Sequence, residues 1–290
     1  MSEGTLSDRT RAFQRVGLVA KRGSREAAQA TRELADWLER RDLEVVFSSD
    51  TNPPFDEAEN LDLVVVLGGD GTLLATARSL VGAPILGVNL GTLGFLTEIS
   101  RGELYPKLVE VLDGRFEIEE RSLLEARLDS APDTSYRVLN DAVITKAAKA
   151  RIIELTVEVD DHLVARFRAD GVIVSTPTGS TAYNLSAGGP IMVPQLPVVV
   201  ITPICPHTLT LRPVVVPASS SIRVMLETRR EEVFLTLDGQ QGVPMEGGRT
   251  VTVERLEETV QLVKVTGRSF YDSLRGKLRW GGLENPPAAP

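Results

Sequence analysis

Leu61-Asp-Leu-Val-Val-Val-Leu-Gly-Gly-Asp-Gly-Thr-Leu-Leu74 decides the fold. From Leu61 to Leu67 it is apolar on both faces, as a strand of a parallel sheet covered on both sides should be. Glycines end the run, and Leu73 to Leu80 then reads as a short helix. Strand, glycine turn and helix in that order form the unit of an open α/β sheet. The unit recurs outward in both directions. Upstream, Val16 to Ala20 reads as a strand, and Ser24 offers an N-cap to a helix reaching Arg41, with Ala27, Ala30, Leu34, Ala35 and Leu38 at helical spacing. Glu44 to Phe47 is a further strand, followed by a proline-containing acidic loop over residues 48–60. Downstream, Pro84 to Val88 is another buried strand and Glu103 to Leu112 another helix.

From about residue 117 the pattern changes. Ile153, Leu155, Val157 and Val159 alternate with polar partners, as do Leu163, Ala165, Phe167 and Ala169. The alternation returns at Ile222-Val224-Leu226, Val233-Leu235-Leu237 and Val260-Leu262, with turn-forming residues between. The expected fold is therefore α/β + β: an N-terminal open, Rossmann-like α/β domain and an antiparallel β-sandwich. The sequence divides as residues 1–118 and 119–267, with a C-terminal helix (Ser269 to Leu278, within residues 268–282) returning to the first domain. The final residues, 281–290, read as a tail that frays.

Composition narrows the chemistry. Against 32 basic residues stand 40 acidic ones, a net charge of -8, so the 290-residue chain has no general attraction for nucleic acid or an anionic membrane. Any phosphate it handles is held locally, by backbone N–H groups and a few placed arginines. One cysteine (Cys205) and two histidines (His162, His207) leave no intrachain disulfide and no Cys/His metal cluster, so no metal is expected on a direct protein cluster. The opening residues lack the apolar core of a signal peptide, and the apolar runs are strand-length. A cytoplasmic protein is expected.

Gly68-Gly-Asp-Gly-Thr72 sits where a ligand belongs, at the carboxyl end of a buried strand. Three glycines around one aspartate let backbone approach anionic oxygens. The dinucleotide fingerprint is not met, because Leu74 stands at its third glycine, and Gly276-Lys277-Leu278 is no phosphate-binding loop of the Walker type. Asp70 suits the role of base or metal-linked anchor beside a hydroxyl attacking a phosphoryl group. A tight turn, or a simple N-cap, remains the plain alternative. A second glycine cluster, Gly87 to Phe95, would wall the other side of a nucleotide-sized crevice if its strand neighbours the first. The longest stretch of this kind is Arg168-Ala-Asp-Gly-Val-Ile-Val-Ser-Thr-Pro-Thr-Gly-Ser-Thr-Ala-Tyr-Asn-Leu-Ser-Ala-Gly-Gly-Pro190, a strand running into a hydroxyl-rich turn suited to phosphate and ribose. His207 reads as a satisfied structural histidine, Cys205 as a small buried hydrophobe and His162 as solvated.

Together these stretches resemble the NAD kinase family. The resemblance rests on GGDGT (68–72), NLGTLGFL (89–96), Asn140-Asp141, the motif from Asp170 to Pro190, Pro206 to Pro213 and Asp238-Gly-Gln240, in family order. It implies an enzyme that phosphorylates NAD on the 2′-hydroxyl of its adenosine ribose. Asp70 would act on that hydroxyl. Gly68, Gly69, Gly71 and Thr72 would admit the donor phosphates. NAD would be held by Asp70, Gly71, Asn140, Asp141, Asp170, Thr181, Ala182, Tyr183, Asn184, Leu185 and Ser186, with Gln240 a weaker contact. The family commonly has Asn-Glu where this chain has Asn140-Asp141, which shortens one contact. Arg168, joined by Arg151, lies two residues from Asp170 and is expected to pin a carboxylate, Asp170 or Asp141, and so favour NAD over NADH. The resemblance further implies Mg²⁺ arriving with ATP, and a homodimer or homotetramer. Two rivals share parts of the pattern: a lipid or sphingoid kinase with the same GGDGT turn, and a non-catalytic NAD(P) sensor.

Overall fold

Every residue from Leu63 to Gly68 of the central strand is buried, two residues later than the expected start, and parallel strands flank it on both sides. The structure, a computed structural model, describes residues 13–48, 55, 60–80, 82–91 and 94–279. The acidic loop at residues 49–59 (Phe55 apart), Thr92 and Leu93 of the second glycine cluster, and the tail at residues 281–290 lie outside these. Its first part runs β1 (Arg15–Ala20), α1 (Arg25–Glu39), β2 (Glu44–Phe47), β3 (Leu63–Gly68), α2 (Asp70–Ser79), β4 (Ile85–Asn89), β5 (Ile99–Ser100) and α3 (Leu104–Leu112). There follow β6 (Glu117–Leu128), β7 (Ser135–Val138), β8 (Asp141–Lys146), β9 (Ile153–Val159), β10 (His162–Ala169) and β11 (Gly171–Ser175). The four-residue α4 (Tyr183–Ser186) leads to β12 (Val198–Ile204), β13 (Val214–Pro217), β14 (Ile222–Leu226), β15 (Val233–Leu237), β16 (Gln241–Met245), β17 (Thr250–Lys264) and α5 (Phe270–Leu278).

Two sheets carry these strands. One runs β10-β9-β14-β17-β4-β3-β1-β2, with β5 beside β4 and β6 and β7 attached through β17. The other runs β13-β12-β11-β8-β15-β16 and is antiparallel throughout. The 15-residue β17 joins the antiparallel and parallel parts of the larger sheet: it pairs antiparallel with β14 and β6, then parallel with β4 at Leu262↔Ile85. Its register against β6 shifts between Arg255 and Thr259, an irregularity that bends the strand from one part to the other. One apolar core lies between the two sheets, from Leu124 to Val253. Two smaller cores coat opposite faces of the parallel strands, one under α1 and α3, the other under α2.

Local signals held at helix starts. The Ser24 side chain accepts from Ala27 N–H at 3.1 Å and caps α1. Ser269 and Asp272 form a reciprocal capping box on α5. Leu274 of that helix is buried, and Arg268 just before it bonds Glu103 at 3.0 Å, so the chain end does return to the α/β part. Two details differ from expectation. Helix α2 begins at Asp70, ahead of Leu73, because its first turn is the glycine motif itself. Leu163 is exposed at 65%, since a register shift between Leu163 and Ala165 breaks the strict alternation of β10.

Candidate active site

The two glycine-rich turns do lie side by side. Strands β3 and β4 pair in parallel with Gly68↔Asn89, so both turns leave the same edge. Asp70 clasps them together. Its Oδ2 accepts Phe95 N–H at 2.7 Å, and its Oδ1 accepts Leu96 N–H at 3.2 Å, Thr97 N–H at 3.1 Å and the Thr97 hydroxyl at 3.3 Å. The carboxylate makes no cap bond to its own helix, so the N-cap alternative is excluded. Asn89 braces the second turn, donating to Thr97 Oγ1 at 3.0 Å and accepting Gly91 N–H at 2.6 Å. Gly94 is obligatory, because a Cβ there would sit 1.7 Å from Asp70 Oδ1.

A second buried carboxylate organises the opposite wall. Asp238 accepts N–H groups from Leu139 (3.1 Å), Asn140 (2.7 Å) and Asp141 (3.1 Å), which fixes the Asn140-Asp141 backbone. Asp238 and Gly239 both have positive φ, the conformation a tight hairpin between β15 and β16 needs. The turn presents Gln240 to α2. Gln240 Nε2 donates to the Gly71 carbonyl at 2.8 Å, and its Oε1 accepts Arg78 Nη2 at 2.8 Å. Arg78 also bonds the Leu237 carbonyl at 3.3 Å and lies 3.7 Å from Asp238. Seven residues separate Gly71 from Arg78, about two helical turns, so both face the hairpin.

The hydroxyl-rich turn is stitched to the same wall. Thr176 N–H donates to the Asn140 carbonyl at 2.9 Å, and Thr176 Oγ1 donates to the Leu139 carbonyl at 2.6 Å. A Cβ on Gly179 would stand 2.2 Å from the Asn140 carbonyl oxygen, so only glycine lets the turn come this close. Asn184 departs from its expected place among the ligand contacts. It is fully buried; its amide donates to the Ser180 and Pro190 carbonyls at 3.2 and 3.0 Å and accepts the Thr202 hydroxyl at 2.6 Å. Both amide hydrogens are taken, so Asn184 shapes the turn and does not face a ligand.

Thr181, Ala182 and Leu185 are half-buried, and Tyr183 (44% exposed) and Ser186 are open to solvent. Asp170 lies 3.5 Å from Lys146, which takes the pairing role expected of Arg168. The Arg168 side chain is exposed opposite Glu154, and Arg151 is exposed where its N–H meets Glu231; no described contact ties either side chain to Asp70. The plain readings of Cys205 and His207 need correction. Both are exposed, Cys205 with positive φ, because the chain leaves β12 at this point and turns outward. His162 is exposed as expected.

Asp141 is only 3% exposed, and burial together with the neighbouring Asp238 charge raises its pKa to about 7. Burial also raises Asp238, but three N–H donors and Arg78 oppose that rise. The shared negative charge therefore rests on Asp238 and the proton on Asp141. Sequence reasoning missed Arg78, Thr97 and Arg121. Arg78 could have been found from its helical spacing to Gly71; Arg121, which reaches Thr178 Oγ1 at 3.4 Å from β6, left no local signal. Among the described residues no three His, Cys, Asp or Glu side chains gather to hold a metal. No described helix is long and apolar enough to cross a membrane.

Comparison with known proteins matches this geometry. Residues 50–116 match the ATP-NAD kinase N-terminal domain and residues 139–265 the ATP-NAD kinase C-terminal domain. An NAD kinase of Geotalea daltonii is 47% identical over 283 residues, 93% of this chain and 99% of the relative. One of Syntrophotalea carbinolica is 44% identical with the same coverage. Among solved structures, yeast NADH kinase complexed with NADH superposes with a TM-score of 0.85 at 27% identity, covering 95% of this chain and 90% of that one. An NAD kinase from Archaeoglobus fulgidus in complex with ATP gives 0.75 at 31% identity, covering 92% and 99%.

Proposed function

The chain belongs to the ATP-NAD kinase family and phosphorylates NAD, and we propose that Asp70 is the base of that reaction. The observation that supports this most is the uneven loading of its carboxylate: Oδ1 accepts three hydrogen bonds and Oδ2 one. Oδ2 keeps an acceptor position for a substrate hydroxyl, and the bonds to residues 95–97 hold the carboxylate still. The 2′-hydroxyl oxygen of the adenosine ribose attacks the terminal phosphorus of ATP. The bond to the leaving ADP oxygen breaks, and the hydroxyl proton passes to Asp70 Oδ2. The glycine turn at the start of α2, Gly68, Gly69 and Gly71 with Thr72, receives the transferring phosphate.

NAD lies along Asn140, Asp141, Asp170 and the Thr181 to Ser186 turn, with Asn184 positioning that turn from behind. Residues 1–118 with 268–282 present the phosphoryl-transfer turns, and residues 119–267 hold the dinucleotide. A divalent cation such as Mg²⁺, bound with the donor phosphates, would supply charge neutralisation there. The chain works in the cytoplasm as a homo-oligomer; exposed Leu209, Val214 and Val215, at and before edge strand β13, support a contact between copies. Incubating the purified chain with NAD, ATP and Mg²⁺ should yield NADP. Hydrolysis of ATP without NADP would overturn the assignment of the acceptor.

A further inference from the structure

A pocket of about 490 Å³ lies at the carboxyl ends of β1 and β2, against the first two turns of α1. Its size suits a small-molecule ligand, and the carboxyl edge of a parallel sheet is where such ligands sit. Its charge is the reverse of the chain's. Lys21, Arg25 and Arg32 line it beside Arg22, and no Asp or Glu among the described residues does, in a chain of net charge -8. Helix α1 sorts its charges to this end. Arg25 and Arg32 stand seven residues apart with Ala28 between them, on one stripe of the helix. Glu26 and Glu33 form the neighbouring stripe, and both pair with Arg101, at 2.8 and 3.7 Å. Lys21, Arg25 and Arg32 are exposed and have no described ion pair. The rest of the lining is apolar: Leu18 and Ala20 come from β1, and Phe47, in register with Leu18, is left 53% exposed at the end of edge strand β2. An aromatic ring open to solvent beside three unpaired cations fits a ligand with a planar apolar part and a phosphate.

We infer that this pocket is a third ligand site, distinct from those of NAD and the phosphoryl donor, and that it takes a nucleotide, with the phosphate among Lys21, Arg25 and Arg32 and the base over Phe47. Two observations set it apart from the transfer site. None of Gly68 to Thr72, residues 94–97, Asn140 or Asp141 lines it. It also opens on the α1 face of the sheet: Leu18 belongs to the core under α1, whereas α2, which starts at Asp70, packs on the core of the opposite face. One bond connects the two places. The Lys21 N–H donates to the Leu67 carbonyl at 2.9 Å, one residue before Gly68. Binding here involves no covalent step; the ligand is held by charge-assisted hydrogen bonds and by contact with the ring.

Two measurements on the full chain test this. Phe47→Trp places a fluorophore in the pocket at a position already exposed. Titrating that variant with AMP should change its emission saturably, beyond any change in the unsubstituted chain. Adding Arg25→Glu and Arg32→Glu should raise the Kd for AMP about tenfold or more. No saturable change, or a Kd unmoved by the charge reversal, overturns the inference. In the second measurement, Arg25→Glu with Arg32→Glu in the otherwise unaltered chain should leave KM for ATP and for NAD within about twofold. A rise in KM for ATP matching the rise in Kd for AMP would assign the pocket to the donor and contradict a third site. The fluorescence titration needs no turnover, so the pocket and the kinase reading can fail separately.

Discussion

Gln240 reaches across 169 residues of sequence to Gly71, donating its side-chain amide to the glycine carbonyl at 2.8 Å. Through this bond the β15–β16 hairpin fixes where the GGDGT helix starts, and the same side chain takes Arg78 on its other end. The turn that meets phosphate and the wall that meets NAD are thereby held in register.

Gln240→Ala should cost little stability, because Gln240 and Gly71 are open to water and Arg78 keeps Leu237 and Asp238. One lost hydrogen bond of about 1 kcal/mol corresponds to roughly a fivefold fall in kcat/KM. Steady-state kinetics in NAD and in ATP check this. A variant with wild-type kcat/KM would show that the link is incidental.

Gly94→Ala should disable the enzyme more than it destabilises the fold. The added Cβ would lie 1.7 Å from Asp70 Oδ1 and must push the carboxylate or the turn aside. A displacement of about 1 Å at a reacting group can cost roughly 10²-fold in kcat. Comparing kcat with the melting temperature separates the two effects, and near-normal kcat would contradict the clasp as a catalytic feature.

Asn184→Ala should act in the reverse sense. Removing the amide orphans the Ser180 and Pro190 carbonyls and the Thr202 hydroxyl in a fully buried place. A loss of about 2–3 kcal/mol follows, seen as a fall of roughly 5–10 °C in melting temperature. If instead stability is unchanged and only KM for NAD rises, Asn184 is a ligand contact after all.

Asp141 makes stability depend on pH. Its folded pKa of about 7 stands above the ordinary aspartate value of 3.8, so the folded state holds the proton more tightly than the unfolded chain does. Its contribution is fully present below the unfolded value and is lost as pH rises toward and through 7. Asp141→Asn cannot ionise and should therefore gain on wild type between pH 5 and pH 8, read by chemical denaturation at each pH. Parallel pH profiles for the two proteins would place the proton elsewhere.

Much of this was legible from local chemistry. The apolar run before Gly68, the Ser24 cap and the alternating strands after residue 117 each carry their own signal within a few residues. The glycine clusters were readable as neighbours once their strands were taken as parallel. What stayed hidden depends on contacts far apart in sequence. Glycine at position 94 is explained only by Asp70 lying against it, and Arg121 acquires meaning only when β6 brings it to Thr178. Asn184 misled because a polar side chain in a ligand-like motif looks the same whether it faces the ligand or the turn behind it. The long β17, which serves both parts of the larger sheet, could not be read from alternation alone, since its register shift lies between Arg255 and Thr259.

The central claim is that Asp70 takes the proton from the NAD hydroxyl. The most direct measurement is the initial rate of NADP formation by wild type and Asp70→Asn at saturating NAD, ATP and Mg²⁺, with NAD affinity measured alongside. The Asn variant should lose about 10²–10⁴-fold in kcat while its Kd for NAD stays within about threefold. An Asn variant turning over within threefold of wild type would contradict the assignment.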